Sequence, residues 1–597
     1  MLNGRLYRLA FVPFMLALAI AAFSLTGRPA PLTSTLAPDA FEGAPAFSEL
    51  QSLAAEFPSR RPGSAGDEAL AKRIAHTIEG LGGAAAGGFS VRVRHFEGST
   101  IDGEKPLSTV IAQRPGSTSA PPIVILAHRD AAARGSQAAL SGTAALLELA
   151  RVFAARETRR AIVLVSTSGG SGGDAGAADF LANAHGPFDA AIVLGDLAGL
   201  GAKRPFVVPY SDAFGSAPEQ LQRTVADAIT QETGWDPGAP SVLGQFAHFA
   251  FPLAAGEQGP LNAGGLPAVL VQVSGEGGPS PRAPVSAERL AGFGRAVLST
   301  VDALDVAGEV PSEMQTGVLI QQKILPAWAL RLLAGALLLG PLILAADGLA
   351  RLRRRRAPVG RWTLWTLSCA LPFLACALFA YVMGSLGVLA APPSVAVLGG
   401  ALPFDGSAAA AVVALALVFL LSWMLWRVIM RRLGWGTRPD PEAAGLSMLL
   451  LLLGVSLIAW AWNPYTVLLL LPALHLWLPV VSPELRPRAL AVLALVALAL
   501  VPLVLLIAFY ADQLGLGPGG VAWTAVLLLA AGHFGVLGAI LWSLSFGCAA
   551  TAAMLALSPA SELPGSQHRA PPKITIRGPL SYAGPGSLGG TESALRR

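Results

Sequence analysis

Three groups of polar residues in the first half of the chain each follow a short apolar run. They are His128-Arg129-Asp130, the loop 168–173 with the sequence Ser-Gly-Gly-Ser-Gly-Gly, and Gly195-Asp196. Histidine and aspartate are side chains that proteins use to transfer protons and to hold cations. The three groups therefore mark the part of the sequence where chemistry or ligand binding is expected.

The glycine-rich loop allows several interpretations. Residues 169–173 fit the G-x-S-x-G pattern of a serine nucleophile, with Ser171 at its centre. Glycine-rich stretches match that pattern easily, and no acid–histidine pair accompanies it here. The loop is otherwise a flexible linker, which is the favoured interpretation, or a nest of backbone N–H groups that binds an anion.

Apolar runs and helical patterns alternate around these groups. Short runs predict buried strands, and 3.6-residue periodicity predicts helices. The predicted strands are 123–126, 161–165, 190–194 and 268–273, and the predicted helices are 138–154, 175–184, 217–231 and 285–306. This order predicts an α/β domain with a doubly wound, mostly parallel sheet and helices on both faces. Functional residues of such sheets lie just past the carboxyl ends of the strands.

Five segments in this order resemble metallopeptidase family 28, the fold of the di-zinc aminopeptidases. The segments are Arg61-Pro62-Gly63-Ser64, Ala127-His128-Arg129-Asp130, Ser141-Gly142-Thr143-Ala144-Ala145-Leu146-Leu147-Glu148, Leu194-Gly195-Asp196 and Gly256-Glu257-Gln258-Gly259-Pro260. The resemblance covers roughly residues 45–307. It implies two zinc ions that share a carboxylate, and a glutamate that deprotonates the bound water.

Part of the family's ligand set has counterparts in this sequence. The resemblance assigns His128 and Asp196 to one zinc site and makes Asp130 a residue that orients the histidine. On its own, one histidine with one aspartate is a poor site for a divalent cation. The plainer interpretation is that His128 makes ordinary hydrogen bonds at a strand end and that Asp196 caps a turn.

The remaining positions of the motif have lost their carboxylates and their histidine. Ala138 stands for the bridging aspartate, Gly170 and Ser171 fall where the paired glutamates belong, and Gln258 stands for the last histidine. Asp174 lies one residue beyond the glycine-rich loop, and Glu257 and His248 lie near the last position without matching it. Without a general base, hydrolysis loses a factor of about 10²–10⁴. We therefore expect no catalytic residues and no cofactor, with zinc possible only if the remnant site binds metal.

The composition places this domain in a membrane protein. The chain has 597 residues, of which 13% are charged, whereas soluble domains carry about 25%. Residues 28–322 hold 21 Lys and Arg against 29 Asp and Glu, a net charge of −8, and the rest of the chain has +13. Because the basic surplus lies outside the α/β domain, the net charge of +5 does not indicate nucleic-acid binding.

Long apolar runs predict eight membrane spans, with nine as the alternative. The first is 9–25, an anchor or a signal peptide. The others are 327–349, 363–389, 407–426, 444–462, 464–481, 489–511 and 521–557. The last run is either one long or broken helix or a hairpin around Gly532-His533. All three cysteines, Cys369, Cys376 and Cys548, lie in these runs, so the α/β domain has no disulfide.

The spans divide the chain into four parts. These are an anchor (1–27), a peptidase-like domain (28–322), a helical bundle (323–557) and a Pro/Gly/Ser-rich tail (558–597). Arginines follow alternate spans, at 351–361, 427–438 and 486–488. The positive-inside rule then predicts a multi-pass protein of the cell membrane, with a cytoplasmic amino terminus and residues 28–322 extracytoplasmic.

The layout as a whole is similar to the membrane subunit of GPI transamidase, although the Ala/Gly/Arg-rich composition is typical of a bacterial source. We expect contact with membrane lipid and an extracytoplasmic peptide, protein or envelope partner, which a non-catalytic domain binds. A metallo-aminopeptidase with an atypical metal site is the alternative. A transporter is a further alternative, for which His475 and His533 are the mid-span candidates.

Overall fold

The computed structural model describes residues 4–82, 88–184, 186–310, 312–389, 401–435, 440–481 and 489–557. They form an α/β domain and a bundle of apolar helices. The predicted tail 558–597 and Arg438, Arg486 and Arg488 of the basic connections lie outside the described residues.

The α/β domain is built on a seven-stranded sheet, and a small three-stranded sheet joins it to the bundle. The strands are β1 (Thr26–Gly27), β2 (Ser90–Thr100), β3 (Gly103–Arg114), β4 (Ile123–His128), β5 (Ile162–Thr167), β6 (Ala190–Leu194), β7 (Val207–Val208), β8 (Ala268–Val271), β9 (Val318–Ile320) and β10 (Lys323–Leu325).

The large sheet is mixed, with the order β2-β3-β5-β4-β6-β8-β7. Its centre is parallel, since β4 pairs with β5 and β6, and β6 pairs with β8. Antiparallel strands flank this centre on both sides. The predicted parallel strands are confirmed, but the sheet is less parallel than expected because β2, β3 and β7 were not predicted.

Helices cover both faces of the sheet, as predicted. The helices of the domain are α3 (Gly43–Glu56), α4 (Ala65–Glu79), α5 (Ser141–Ala154), α6 (Ala175–Asn183), α7 (Glu219–Thr233), α8 (Val242–Ala250), α9 (Gln258–Ala263) and α10 (Ala287–Val306). Strand β4 shows the two-sided burial. Ile123 and Ile125 pack in one hydrophobic core, and Val124 and Leu126 pack in a second core on the opposite face.

Apolar helices make up the bundle and the amino-terminal segment. They are α1 (Gly4–Leu9), α2 (Phe11–Phe23), α11 (Ala327–Arg354), α12 (Val359–Ser368), α13 (Leu371–Ser385), α14 (Gly406–Arg432), α15 (Pro441–Trp462), α16 (Leu471–Leu476), α17 (Leu478–Val481), α18 (Ala489–Ala499), α19 (Val501–Gln513), α20 (Pro518–Ala530) and α21 (Gly535–Leu557).

Six helical segments of the described chain are long and apolar enough to cross a membrane, and α18 with α19, bent by 45°, makes a seventh candidate. This identifies a multi-pass membrane protein, with fewer long spans than the eight predicted. The predicted span 464–481 is broken into short pieces, beginning with a 3-10 turn at Thr466–Leu469. The run 521–557 divides into α20 and α21 at Gly532 and Gly535, whose positive φ angles end a regular helix.

The amino-terminal helix belongs to the bundle. The hydroxyl of Tyr7 lies 2.7 Å from Nδ1 of His475, and Tyr7 packs against Gly340 of α11. Just after α2, Thr26 of β1 pairs with Ile324 of β10. The two chain segments that connect the domain to the membrane are therefore held together in the small sheet.

Bundle side chains also cap the end of α8. Asn463 Nδ2 donates to the Phe249 carbonyl at 2.6 Å, and Thr466 Oγ1 donates to the Ala250 carbonyl at 2.7 Å. Tyr510 Oη donates to the Phe251 carbonyl at 2.6 Å. The last carbonyls of a helix have no partner inside the helix. Here three of them at the end of α8 are satisfied by the bundle, which joins the two parts.

Candidate functional site

A cavity of about 360 Å³ lies beside the carboxyl ends of the central strands. His128, Asp130, Ser171 and Glu257 lie in its wall, with residues from loops of the same domain. Leu514, at the end of α19, also lines it. The sheet brings the predicted polar groups to one edge, and the bundle closes part of the cavity.

His128 and Glu257 face each other in this cavity. Nδ1 of His128 lies 3.7 Å from Oε2 of Glu257, and the Thr167 hydroxyl donates to Oε1 of Glu257 at 2.5 Å. Oε2 of Glu257 is buried and has no hydrogen-bond partner among the described residues. Glu257 thus keeps one unsatisfied carboxyl oxygen buried beside His128, in the wall of the cavity.

Burial determines the charge of this pair. Desolvation lowers the pKa of His128 below its ordinary value. Burial raises the pKa of Glu257 to about 8, although the hydrogen bond from Thr167 opposes this shift. Both groups are therefore mainly uncharged at neutral pH, and a cationic ligand that binds there would favour the Glu257 carboxylate.

Asp130 is engaged by the glycine-rich loop. The backbone N–H groups of Gly170 and Ser171 donate to its two carboxylate oxygens at 3.1 and 3.0 Å. Consecutive backbone N–H groups that enclose an anion form a nest. The loop is therefore not a free linker, which corrects the favoured expectation: it is an anion nest, and the anion is the chain's own Asp130.

Asp196 follows the plainer of its two interpretations. Its Oδ1 accepts hydrogen bonds from the backbone N–H groups of Ala198 at 3.1 Å and Gly199 at 2.6 Å. Ser141 Oγ lies 3.5 Å from the same oxygen. Asp196 thus closes a turn after β6, and no hydrogen bond or ion pair joins it to His128 in the described part of the chain.

Glycine at position 170 is required by close packing. A Cβ atom there would lie 2.4 Å from Cβ of His128 and 3.1 Å from Cδ of Glu257. A glutamate side chain in this backbone position would overlap the side chain of His128. Position 170 therefore lies too close to His128 to carry the family's general base in this conformation of the loop.

The two other motif positions, Ala138 and Gln258, are not part of the cavity wall. Ala138, where the resemblance places the bridging carboxylate, is buried in a 3-10 turn, and its neighbour Ala139 lines the cavity instead. Gln258 begins α9, is fully buried, and is not part of the cavity wall. Neither residue supplies a ligand beside His128.

The donor set does not fit a zinc ion. Across the described ranges, no group of three or more His, Cys, Asp or Glu side chains is arranged to hold a metal. Both oxygens of Asp130 and one oxygen of Asp196 accept backbone hydrogen bonds, whereas Oδ2 of Asp196 is buried without a partner among the described residues. Zinc sites need at least three protein ligands. The assignment of His128 and Asp196 to a remnant metal site therefore stays a prediction, and no chemical step is assigned to a metal.

A buried ion pair supports the floor of the site. Nε of Arg129 lies 2.9 Å from Oδ1 of Asp67, and both side chains are almost fully buried. Ser168 at the start of the glycine-rich loop donates to the other Asp67 oxygen at 2.5 Å. Arg129 therefore has a structural role, tying the end of β4 and this loop to α4.

Two more buried carboxyl groups lie behind the cavity. Asp174 precedes α6 with φ of 49°, and burial raises its pKa well above the ordinary value. Burial raises the pKa of Asp212 to about 7, while the N–H of Ala254 donates to it at 3.0 Å. Neither residue lines the cavity, so Asp174 does not replace the missing glutamates.

Glu257 lies one position from the histidine of the motif in the sequence, and the structure places it against His128. The sequence feature that could have identified Glu257 as a site residue was a carboxylate two positions before Gly259, in a segment that resembles the family only weakly. No local sequence pattern indicated that Leu514 lines the cavity, because it lies more than 250 residues after Glu257 in the chain.

The sequence model of Peptidase family M28 matches residues 109–249, which include β4, β5 and β6. This confirms the resemblance for that segment of the α/β domain. A search of curated proteins found no match.

Three solved structures are among those similar to the chain. A glutaminyl cyclase from Porphyromonas gingivalis has 19% identity and a TM-score of 0.32, covering 45% of this chain and 99% of its own. An aminopeptidase from Aneurinibacillus sp. strain AM-1 has 14% identity and a TM-score of 0.37, covering 46% and 97%. A leucine aminopeptidase precursor from Bacteroides thetaiotaomicron has 15% identity and a TM-score of 0.35, covering 45% and 99%.

Proposed function

We propose that the α/β domain is a non-catalytic, peptidase-like domain that binds an extracytoplasmic peptide for a membrane-embedded complex. The cavity beside His128 and Glu257 is the binding site. Two buried atoms of residues in its wall, Glu257 Oε2 and Ser171 Oγ, have no hydrogen-bond partner among the described residues, and the proposed peptide would supply polar groups to pair with them. Leaving such atoms unpaired is costly, so a ligand that pairs them gains affinity.

The main support for this proposal is that two carboxylates of the site are already hydrogen-bonded to the protein's own backbone. The resemblance would make Asp196 a zinc ligand and Asp130 the residue that orients the histidine. Asp130 accepts backbone hydrogen bonds from the glycine-rich loop, and Asp196 accepts them within its own turn. Gly170 packs against His128 where a general base would need room. A fold that has closed its hydrolytic site in this way retains a cavity for binding.

The proposal includes the orientation of the domain. Helix α11 leaves the small sheet at the domain side and ends in arginines, including Arg351 and Arg354. Helix α15 ends beside the domain, where Asn463 contacts Phe249. The arginines thus lie at the far end of the bundle from the domain, which supports an extracytoplasmic domain by the positive-inside rule.

The test uses the full-length protein in lipid nanodiscs. Metal content is measured by mass spectrometry, and hydrolysis is measured with aminoacyl chromogenic substrates in the presence of zinc. Binding is measured with fluorescent pentapeptides that have a free amino terminus and randomised first residues. We expect peptide binding that Glu257→Gln weakens, without stoichiometric zinc and without hydrolysis. Ser119→Ala, on an exposed loop of the same domain, is the matched control.

The alternative is a metallo-aminopeptidase with an atypical site. Stoichiometric zinc together with hydrolysis that His128→Ala abolishes would establish that alternative and refute the binding proposal. Absence of peptide binding would also refute the binding proposal. So would peptide binding that neither Glu257→Gln nor His128→Ala changes.

A further inference from the structure

A second cavity of about 380 Å³ lies inside the bundle. Helices α13, α19, α20 and α21 enclose it, and two domain residues, Phe251 and Leu253, cover one end. Leu506, Leu528 and Phe546 are typical of its wall, which is almost entirely apolar. A cavity with so few polar groups in its wall holds water poorly, so its natural occupant is a hydrocarbon chain.

This bundle cavity meets the domain cavity at the turn between α19 and α20. Leu514 lines both cavities. Its neighbours divide between them, since Gly515 lines the domain cavity and Leu516 lines the bundle cavity. A single molecule with a polar end and an apolar chain can therefore reach from one cavity into the other across this turn.

The charge of the domain cavity restricts the polar end. Asp130 and Glu257 are the acidic groups of its wall, and no lysine or arginine is among the described residues that line it. Lys203, near the same turn, is paired with Asp512 at 3.0 Å. A phosphate group would meet carboxyl groups without a cationic partner, whereas an amine or amide would pair with them.

We infer that the two cavities together bind an acylated peptide. Its acyl chain lies in the bundle cavity, and its amino-terminal end lies in the domain cavity near Glu257. The inference rests on the proposed function and adds the chemical class of the ligand. It gives the bundle a part in recognition beyond anchoring the domain.

The probe is a pentapeptide with a free amino terminus and a palmitoyl chain on the side chain of its second residue. The chain carries a diazirine for photo-crosslinking, and the full-length protein is held in phosphatidylcholine nanodiscs. We expect crosslinks on α19 and α20. Filling the bundle cavity with Ala525→Trp should lower crosslinking about tenfold or more, because the chain loses its site.

Matched variants separate the cavity from general lipid exposure. Leu421→Trp adds the same side chain to an exposed position of α14 outside the cavity and should leave crosslinking unchanged. Ala377→Trp fills the cavity from α13 and serves as a second variant if Ala525→Trp does not fold. The same peptide without its acyl chain should bind more weakly, and Ala525→Trp should not change its affinity.

Four results would overturn the inference. Crosslinking that Ala525→Trp and Ala377→Trp both leave unchanged would place the acyl chain elsewhere. Equal affinity of the acylated and unacylated peptides would show that the proposed function holds without this site, whereas failure of both peptides to bind would refute the proposed function itself. A diazirine-bearing phosphatidylglycerol that labels α19 and α20 and is not displaced by the peptide would assign the cavity to ordinary membrane lipid.

Discussion

At the scale of single residues, the site depends on how each carboxyl group is satisfied. Asp130 and Asp196 accept backbone hydrogen bonds, and Glu257 accepts one from Thr167 while its other oxygen stays unpaired. A buried carboxyl group with an unpaired oxygen is held mainly in its protonated form. Glu257 is therefore the residue of the site most sensitive to pH and to a bound cation.

Glu257 should make the stability of the protein fall with rising pH. Its pKa is raised from 4.5 to about 8, so between these values the unfolded chain loses the proton while the folded chain keeps it. The wild type should lose about 2 kcal/mol of unfolding free energy between about pH 6 and 8 relative to Glu257→Gln. Thermal unfolding across this range tests the difference.

The exposed Glu288 supplies the control for this pH series. Glu288→Gln should keep the pH dependence of the wild type, because the carboxyl group that causes it is still present. Parallel pH profiles for the wild type and Glu257→Gln would contradict the account of Glu257.

Gly170→Ala should destabilise the protein by about 1–3 kcal/mol, because its methyl group would overlap His128. Gly201→Ala is the matched control, since a Cβ atom there meets nothing within 4 Å. Its effect should stay within about 1 kcal/mol. Thermal unfolding measures both variants, and equal stability of the two would show that the loop moves aside easily.

At the scale of elements, the strands position the site, and the short helix α8 connects the α/β domain to the bundle. The parallel strands β4, β5 and β6 end at one edge of the sheet, where the cavity lies. Helix α8 ends in carbonyl groups that accept hydrogen bonds from Asn463, Thr466 and Tyr510 of the bundle. These contacts make the end of α8 part of the interface between domain and bundle.

Asn463→Ala should loosen this interface by removing the donor to the Phe249 carbonyl, at a cost of about 1–3 kcal/mol. Hydrogen–deuterium exchange should become faster in residues 242–251 and stay unchanged in β4 and β6. The control is Asn183→Ala, whose amide donates within its own helix, α6. Unchanged exchange in α8 would show that the other two donors suffice.

At the scale of the whole molecule, the chain combines an acidic domain with a bundle in which the arginines that end α11 and α14 lie at the end far from the domain. Leu514 and the α8 contacts show that the two parts are joined at the cavity as well as through the small sheet. In the proposed orientation, this arrangement suits a domain that binds a ligand next to the membrane. The orientation of the molecule is therefore the property to establish first.

Single cysteines should report the orientation in intact cells. Ser119→Cys lies on an exposed loop of the domain, and Gly360→Cys lies between the arginines of α11 and Arg361. A membrane-impermeant maleimide should label the first and should label the second only after permeabilisation. The unmodified chain is the control for the native cysteines, and the opposite pattern would place the domain in the cytoplasm.

The parallel strands, the helices between them and most of the long spans were predictable from the sequence, because they depend on apolar periodicity within short windows. The hairpin β2–β3 was missed, although Val91 and Val93 alternate with arginines in β2. The loss of carboxylates at Ala138 and Gly170 was also evident, since it is a matter of residue type at a motif position.

Only the tertiary structure decided which side chains meet. It paired Glu257 with His128, gave Asp130 to the nest and Asp196 to a turn, and brought Leu514 of the bundle to the cavity. Such contacts join residues far apart in the chain, and whether a carboxyl group is ionised or free to bind depends on burial and partners. Residue types led to the prediction that the zinc ligand set of the fold is incomplete, and packing decided which partners the remaining polar groups contact.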